Sequence, residues 1–196
     1  MCIGTINRRQ LILGAGAAAT AGVPDWGFAS ATSKPQSRLD ALVSQIEPVL
    51  NLENAHTKER VYLRYYSSTG YDMHAIAQLN WIMRDWRDDV AVQMDVRLFW
   101  ALSAIRIAAL RDGHSGHMIL LSGFRTQKTN NLLRERGIGA AAKSLHLKGK
   151  AADITMEGVK IDHLADYAAW LEVGGVGAYE RSRFVHIDSG RERRWG

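Results

Sequence analysis

Two short segments near the C-terminal end constrain this chain more than any other feature. Ser144–Asp153 reads Ser-Leu-His-Leu-Lys-Gly-Lys-Ala-Ala-Asp, and Phe184–Asp188 reads Phe-Val-His-Ile-Asp. Two neutral imidazoles and one carboxylate are a common ligand set for a catalytic zinc ion, which takes three protein ligands and leaves a fourth position for water. The sequence therefore predicts a metal site formed by His146, Asp153 and His186.

The second segment has the alternation of a strand. A period of two puts Phe184, His186 and Asp188 on one face and turns Val185 and Ile187 to the other. A core face is usually apolar, so two ionisable groups on one face indicate either a functional site or a solvated face. This pattern leaves both interpretations open.

The first segment is equally open when only its spacing is considered. A turn that contains Gly149 joins His146 to Asp153 and returns into a strand, so both side chains could point at one ion. The alternative is a surface turn with a hydrogen-bonded histidine. His114 and His117 also have a metal-like spacing, but no acidic residue accompanies them, which favours a surface loop.

The N-terminus predicts export. Arg8 and Arg9 stand directly before a Gly/Ala-rich apolar run, and Ala29-Ser30-Ala31 has the small residues of a cleavage site. We interpret residues 1–31 as a signal peptide of twin-arginine type and expect the protein in the periplasm or cell envelope. A retained anchor is the minority interpretation, because a transmembrane helix needs about 20 apolar residues.

Length, cysteine count and charge indicate what kind of protein the mature chain is. After a linker at residues 32–45, residues 46–196 suffice for one domain with a real core. The only cysteine, Cys2, precedes the predicted cleavage site, so no disulfide is expected. The net charge of +5 is compatible with an anionic polymer such as cell wall, and no basic run with interleaved aromatic residues indicates nucleic acid.

The first half of the domain shows two strands and two helices. Short strands are predicted at Leu50–Asn54 and Val61–Tyr66, and Asp72 and Asp95 can each cap an amphipathic helix. Apolar residues recur at helical spacing in both helices, and the nearby tryptophans are interpreted as core: Trp81, Trp86 and Trp100.

The second half carries the remaining strands. They are predicted at Met118–Leu121, Ala151–Thr155 and Arg183–Asp188, with helices that end at Gly137 and span Asp162–Leu171. Gly174–Gly177 is interpreted as the turn that delivers the last strand. We therefore expect an α+β fold, in which a small, mainly antiparallel sheet carries the metal site and packs against N-terminal helices.

These residues resemble a known family. The pattern Ser-x-His-x-x-Gly-x-Ala-x-Asp at Ser144–Asp153 is similar to the signature of the zinc D,D-peptidases related to VanX- and VanY-type enzymes, in the lysostaphin/hedgehog-like metallopeptidase superfamily. Ser122–Thr126, Gly174–Gly177 and Phe184–Gly190 resemble the YcbK-like murein endopeptidase branch in particular. The resemblance covers residues 45 to 195, nearly the whole mature domain.

The resemblance implies roles for individual residues. His146, Asp153 and His186 match the zinc ligands, and Arg125 matches the arginine that contacts the substrate or stabilises the developing oxyanion. VanX-type enzymes also carry a catalytic glutamate three residues before the last ligand histidine, where this chain has Arg183. The general base is therefore open at this stage.

Two carboxylates are candidates for that base. Asp188 is the first, because it shares a strand face with His186, and Glu180 on the preceding loop is the second. The alternative for Asp188 is to accept a hydrogen bond from a ligand histidine and fix its tautomer.

The predicted function follows from the resemblance and the ligand chemistry together. We expect an exported zinc metallopeptidase with one zinc ion, a murein endopeptidase or D,D-carboxypeptidase that hydrolyses stem-peptide or cross-link bonds of peptidoglycan. The alternative is a cell-wall binding module that retains the metal and has lost catalysis, as the missing glutamate permits. The sequence leaves the cleaved bond and the oligomeric state open.

Overall fold

A mixed β-sheet organises the part of the chain that the computed structural model describes, residues 37–196. The strands are β1 Val49–Asn54, β2 Arg60–Arg64, β3 Tyr66–Ser67, β4 Gly70–Tyr71, β5 Met118–Ser122, β6 Ala151–Met156, β7 Gly175–Tyr179, β8 Phe184–Asp188 and β9 Arg193–Trp195. The helices are α1 Arg38–Leu42, α2 Met73–Ile82, α3 Val96–Arg111, α4 Gln127–Glu135 and α5 Ile161–Trp170. Two short 3-10 helices are added at Val43–Gln45 and Leu145–Lys148.

Seven of these strands form one sheet in the order β2-β1-β5-β6-β8-β7-β9, and β3 pairs with β4 separately. Neighbouring strands are antiparallel except in the pairs β1 with β5 and β7 with β9. Helix α3 packs against β1 and α5, and α2 against β2. The predicted α+β class with a mainly antiparallel sheet is confirmed.

The two long N-terminal helices begin where the sequence predicts. The Asp72 carboxylate accepts hydrogen bonds from the backbone N–H groups of His74 and Ala75, at 2.9 and 3.1 Å, and Asp95 accepts one from Arg97 at 3.0 Å. Such N-caps stabilise a helix by about 1 kcal/mol. α3 then buries most of its length in the core, with Leu98, Phe99, Leu102 and Ile105 fully covered.

Part of the predicted linker is folded. Within residues 32–45, α1 and the 3-10 helix that follows it are ordered, and Leu39 is fully buried. Arg97 on α3 forms an ion pair with Asp40 at 2.6 Å. Five residues are too few to show a helical period, so the sequence pattern could not reveal this helix.

Two further differences lie at the C-terminal end. Gly175–Tyr179 is a strand, not the turn that the glycines suggest, and Phe184–Asp188 is followed by one more strand, β9. Trp81 also differs from its interpretation as core, because 48% of its surface is exposed and the Arg84 guanidinium lies over its ring at 4.1 Å.

The predicted signal peptide, residues 1–31, lies outside the described residues, as does the start of the predicted linker. Among residues 37–196 no helix is both long enough and apolar enough to cross a bilayer.

Candidate metal centre

His146 is the most deeply buried of the predicted ligands. It lies in the 3-10 helix Leu145–Lys148, whose first turn is capped by the Ser144 hydroxyl and which ends at Gly149 in the left-handed region, with φ of 63°. The imidazole is 1% exposed, and its Nδ1 lies 2.6 Å from the Gly123 carbonyl oxygen. Since a carbonyl only accepts, Nδ1 carries the proton and the lone pair of Nε2 points into the centre.

Asp153 and His186 come from neighbouring strands. They are direct partners in the antiparallel pairing of β6 with β8, so their side chains leave the sheet side by side. His186 Nε2 lies 3.1 Å from Asp188 Oδ2, and the carboxylate can only accept. Nε2 therefore carries the proton, and Nδ1 of His186 is the free ligand atom.

The three ligand atoms form a compact triangle. His146 Nε2 lies 3.2 Å from both Asp153 Oδ1 and His186 Nδ1, and the last two atoms are 2.9 Å apart. Zn–N and Zn–O bonds of about 2.0–2.1 Å give a tetrahedron with edges of about 3.3 Å. The triangle has the size of one face of that tetrahedron, so these residues fit a tetrahedral metal ion.

The charges around the triangle suit metal binding. Burial alone would raise the pKa of Asp153, but the imidazoles of His146 and His186 and the Arg125 guanidinium hold that pKa well below its usual range. Asp153 is therefore a carboxylate. Complete burial lowers the pKa of His146 and favours the neutral ring that a metal requires.

Asp188 lies behind His186, away from the triangle. It is fully buried, and its Oδ1 accepts hydrogen bonds from the backbone N–H groups of Gly175 and Gly190, both at 2.9 Å. Oδ2 accepts from His186 Nε2 and, at 2.6 Å, from Arg193. Burial would raise the pKa of Asp188, but these donors together lower it, so both of its oxygens act as acceptors from protein groups.

Arg125 joins the turn between β5 and α4 to the centre. Its guanidinium pairs with Asp153 Oδ2, and its Nε donates to the Ser122 hydroxyl at 2.7 Å. The backbone N–H of Arg125 bonds to the His146 carbonyl oxygen at 3.1 Å. Burial lowers the pKa of Arg125, opposed by Asp153, and the side chain lines the cleft above the triangle.

Glu180 is not brought to the centre. It is exposed and lines a separate groove with Glu157, Asp162 and Arg183. Its place on the loop after β7 turns it away from the face that carries His186. The pair His114 and His117 likewise forms no metal cluster, because the group of potential metal ligands found in the described part of the chain is His146, Asp153 and His186.

The triangle opens into a cleft of about 390 Å³. Asp153 is the one carboxylate among the described residues that line it. Its lining includes residues of the segment 137–145 and the aromatic residues Tyr179, Phe184 and Trp195. The strand period had placed Phe184 on the face of His186, but the sequence patterns did not reveal Tyr179 and Trp195, because their place beside His186 depends on the unpredicted strands β7 and β9.

A buried set of two histidines and one aspartate beneath an open cleft is the arrangement of a metal-dependent hydrolase. Residues 44–195 match the family described as peptidase M15_2, peptidoglycan L,D-endopeptidase MepK, and the chain belongs to this family. The resemblance to the murein endopeptidase branch is thereby confirmed.

Two relatives illustrate the similarity. The peptidoglycan L,D-endopeptidase MepK of Escherichia coli (strain K12) is 38% identical over 190 residues, which are 96% of this chain and 97% of that protein. The probable peptidoglycan L,D-endopeptidase MepK of Haemophilus influenzae is 33% identical over 157 residues, or 79% of this chain and 83% of that protein.

Proposed function

We propose that this protein is an exported zinc metallopeptidase that hydrolyses peptide bonds in the stem peptides or cross-links of peptidoglycan. The observation that carries the proposal is the triangle of His146 Nε2, Asp153 Oδ1 and His186 Nδ1, open to the cleft and adjacent to the Arg125 guanidinium. The names of the two relatives support this substrate and, more narrowly, an L,D bond as the bond that is cleaved.

Zinc fits the donor set of two imidazoles and one carboxylate, and when bound it supplies a Lewis acid that polarises a carbonyl group and lowers the pKa of water. Arg125 places a buried positive charge at the cleft, where it can stabilise the negative charge that develops on the scissile carbonyl oxygen. Ser122 and Asp153 hold the guanidinium in place.

We assign Asp188 to orienting His186 and not to proton transfer. The prediction that Asp188 is the general base requires one of its carboxylate oxygens to face the reacting atoms. Both of its oxygens instead accept bonds from His186, Arg193 and two backbone N–H groups, and the carboxylate does not line the cleft. Such a bond fixes the tautomer of a ligand histidine.

One observation favours the alternative of a cell-wall binding module without catalysis. Among the described residues that line the cleft, Asp153 alone carries a carboxylate, and it is itself a predicted ligand. A module of this kind would retain the metal and the cleft but show no turnover.

Digestion of purified peptidoglycan separates the two functions. The purified protein with one equivalent of zinc is incubated with sacculi, and the released muropeptides are identified by mass spectrometry, with His186→Ala as the matched control. We expect new peptide ends from the wild type and none from the variant. Binding of sacculi without any new peptide end would favour the module, and the masses of the products identify the cleaved bond.

A further inference from the structure

Three aromatic side chains form one side of the cleft, and we call Tyr179, Phe184 and Trp195 the aromatic wall. The rings of Tyr179 and Phe184 stack with their centroids 4.5 Å apart and 16° between their planes. The Trp195 indole N–H donates to the Tyr179 hydroxyl at 3.0 Å. All three rings are partly exposed and line the cleft.

Gly177 makes room for the indole. β9 pairs in parallel with β7, and Gly177 is the register partner of Trp195. A Cβ atom at position 177 would lie 2.4 to 2.7 Å from atoms of the indole ring. Because real Cβ contacts are never so short, any side chain at this position would push Trp195 out of its place.

The wall stands directly beside a predicted metal ligand. The ring centroids of Trp195 and His186 are 5.4 Å apart, and the Arg193 guanidinium lies 4.9 Å from the centroid of Trp195 while it bonds to Asp188. Whatever contacts the exposed part of the indole therefore lies next to the bond that the centre would cleave.

The chemistry of the wall indicates an apolar occupant. The one polar atom of the indole is used inside the protein by Tyr179, so the part of Trp195 that lines the cleft is apolar. Aromatic faces bind alkyl groups by burial of apolar surface and dispersion. A peptide advances about 3.3–3.6 Å per residue, so a group this close to His186 belongs to a residue that flanks the scissile bond.

We propose that the aromatic wall, through Trp195, binds the alkyl part of the stem-peptide side chain that flanks the scissile bond, and so positions that bond over the metal centre. This inference rests on the proposed function. Peptidoglycan also offers the apolar face of a sugar ring, but the sugar lies beyond the amino end of the stem peptide, whereas the Trp195 ring, 5.4 Å from that of His186, lies beside the residues that flank the scissile bond.

The test removes the indole in two independent ways. Trp195→Ala deletes it, and Gly177→Ala keeps the tryptophan but displaces it through the added Cβ. Trp170→Ala is the matched control, since Trp170 is an exposed tryptophan on α5 outside the cleft. For each zinc-loaded protein, KM and kcat are measured on a cross-linked stem peptide with and without its sugar, and zinc content is determined.

We expect KM to rise about tenfold in Trp195→Ala and to rise in Gly177→Ala, since an aromatic contact contributes on the order of a tenfold change in affinity. The zinc content of every variant should match that of the wild type, and so should the KM and kcat of Trp170→Ala. An unchanged KM in Trp195→Ala overturns the inference, as does loss of zinc from that variant, which would make the wall a support of the metal centre. An effect on KM seen only with sugar-bearing substrate overturns the proposed occupant.

If the wild type cleaves no substrate, the proposed function is wrong. The inference about the aromatic wall is then tested separately, by calorimetric measurement of the affinity of each protein for the same stem peptide. Weaker binding by Trp195→Ala than by Trp170→Ala supports the aromatic wall as a binding surface, and equal binding by the two variants overturns it.

Discussion

At the scale of single residues, Asp188 lies beside His186 as the sequence predicts, and we propose for it the orienting role that the sequence left as the alternative to a general base. The strand period correctly puts Asp188 on the face of His186, as the bond between Oδ2 and Nε2 shows. The sequence could not reveal that Gly175 and Arg193 also bond to this carboxylate, because those contacts depend on the pairing of β7 with β8 and of β9 with β7. The N–H of Gly190, two residues along the chain, adds a local bond.

Replacement of this residue tests the orienting role. In Asp188→Asn, the NH2 of the amide must face either the two backbone N–H groups or His186 and Arg193. Either arrangement places donors against each other and disturbs the hydrogen bond to His186. We expect zinc affinity to fall about 10- to 100-fold, with activity restored by excess zinc. Competition with a chromophoric chelator measures the affinity.

Glu180→Gln is the control for this experiment, because Glu180 is exposed in a different groove and should leave zinc affinity and activity unchanged. An Asp188→Asn protein that binds zinc as tightly as the wild type but is inactive even with excess zinc would return Asp188 to the role of general base.

At the scale of elements, prediction succeeded where local patterns are strong. β1, α2, α3, β5, α4, β6, α5 and β8 all lie where periodicity and caps placed them. β7 was not predicted because Gly175 and Gly177 have low strand propensity, and the strand is stabilised by pairing with its neighbours. β9 was not predicted because Arg193–Trp195 is short and charged. β7 and β9 both contribute residues that line the cleft.

The N-cap of α4 shows how an element supports the site. The Thr126 hydroxyl accepts a hydrogen bond from the backbone N–H of Thr129 at 3.1 Å, and the Thr126 N–H donates to Asp85 at 2.8 Å. This cap follows Arg125 directly, so it fixes the turn that aims the guanidinium at Asp153.

We expect Thr126→Ala to lower the free energy of unfolding by about 1 kcal/mol, the usual value for a lost N-cap. Thr126→Ser keeps the hydroxyl and should lie within a few tenths of the wild type. Urea unfolding followed by circular dichroism measures both. Equal stability of the alanine and serine variants would show that the cap does not hold this turn.

At the scale of the whole molecule, the sheet order explains why two distant segments meet. β6 and β8 are neighbours in space, which places Asp153 beside His186, and the turn after β5 adds Arg125. The convergence of His146, Asp153 and His186 was predicted from their residue types and from the resemblance. Of the aromatic wall only Phe184 was placed there by the strand period, because Tyr179 and Trp195 reach the cleft through the unpredicted strands β7 and β9.

The predicted compartment is a property of the full chain and has its own test. If residues 1–31 are a twin-arginine signal, replacing Arg8 and Arg9 together by lysines should block export, because that translocase reads the guanidinium pair. The general secretory route accepts either cation. Fractionation of cells that express each form measures the outcome, and normal export of the lysine variant would refute the assignment.

The most direct measurement for the account as a whole is a zinc titration of the metal-free protein during digestion of cross-linked stem peptides. Residues 37–196 offer one triangle of ligands, so turnover should rise linearly with zinc and reach its plateau at about one equivalent per chain, and Asp153→Ala should show no such rise. Turnover by the metal-free wild type, or an unchanged titration curve for Asp153→Ala, would contradict the account.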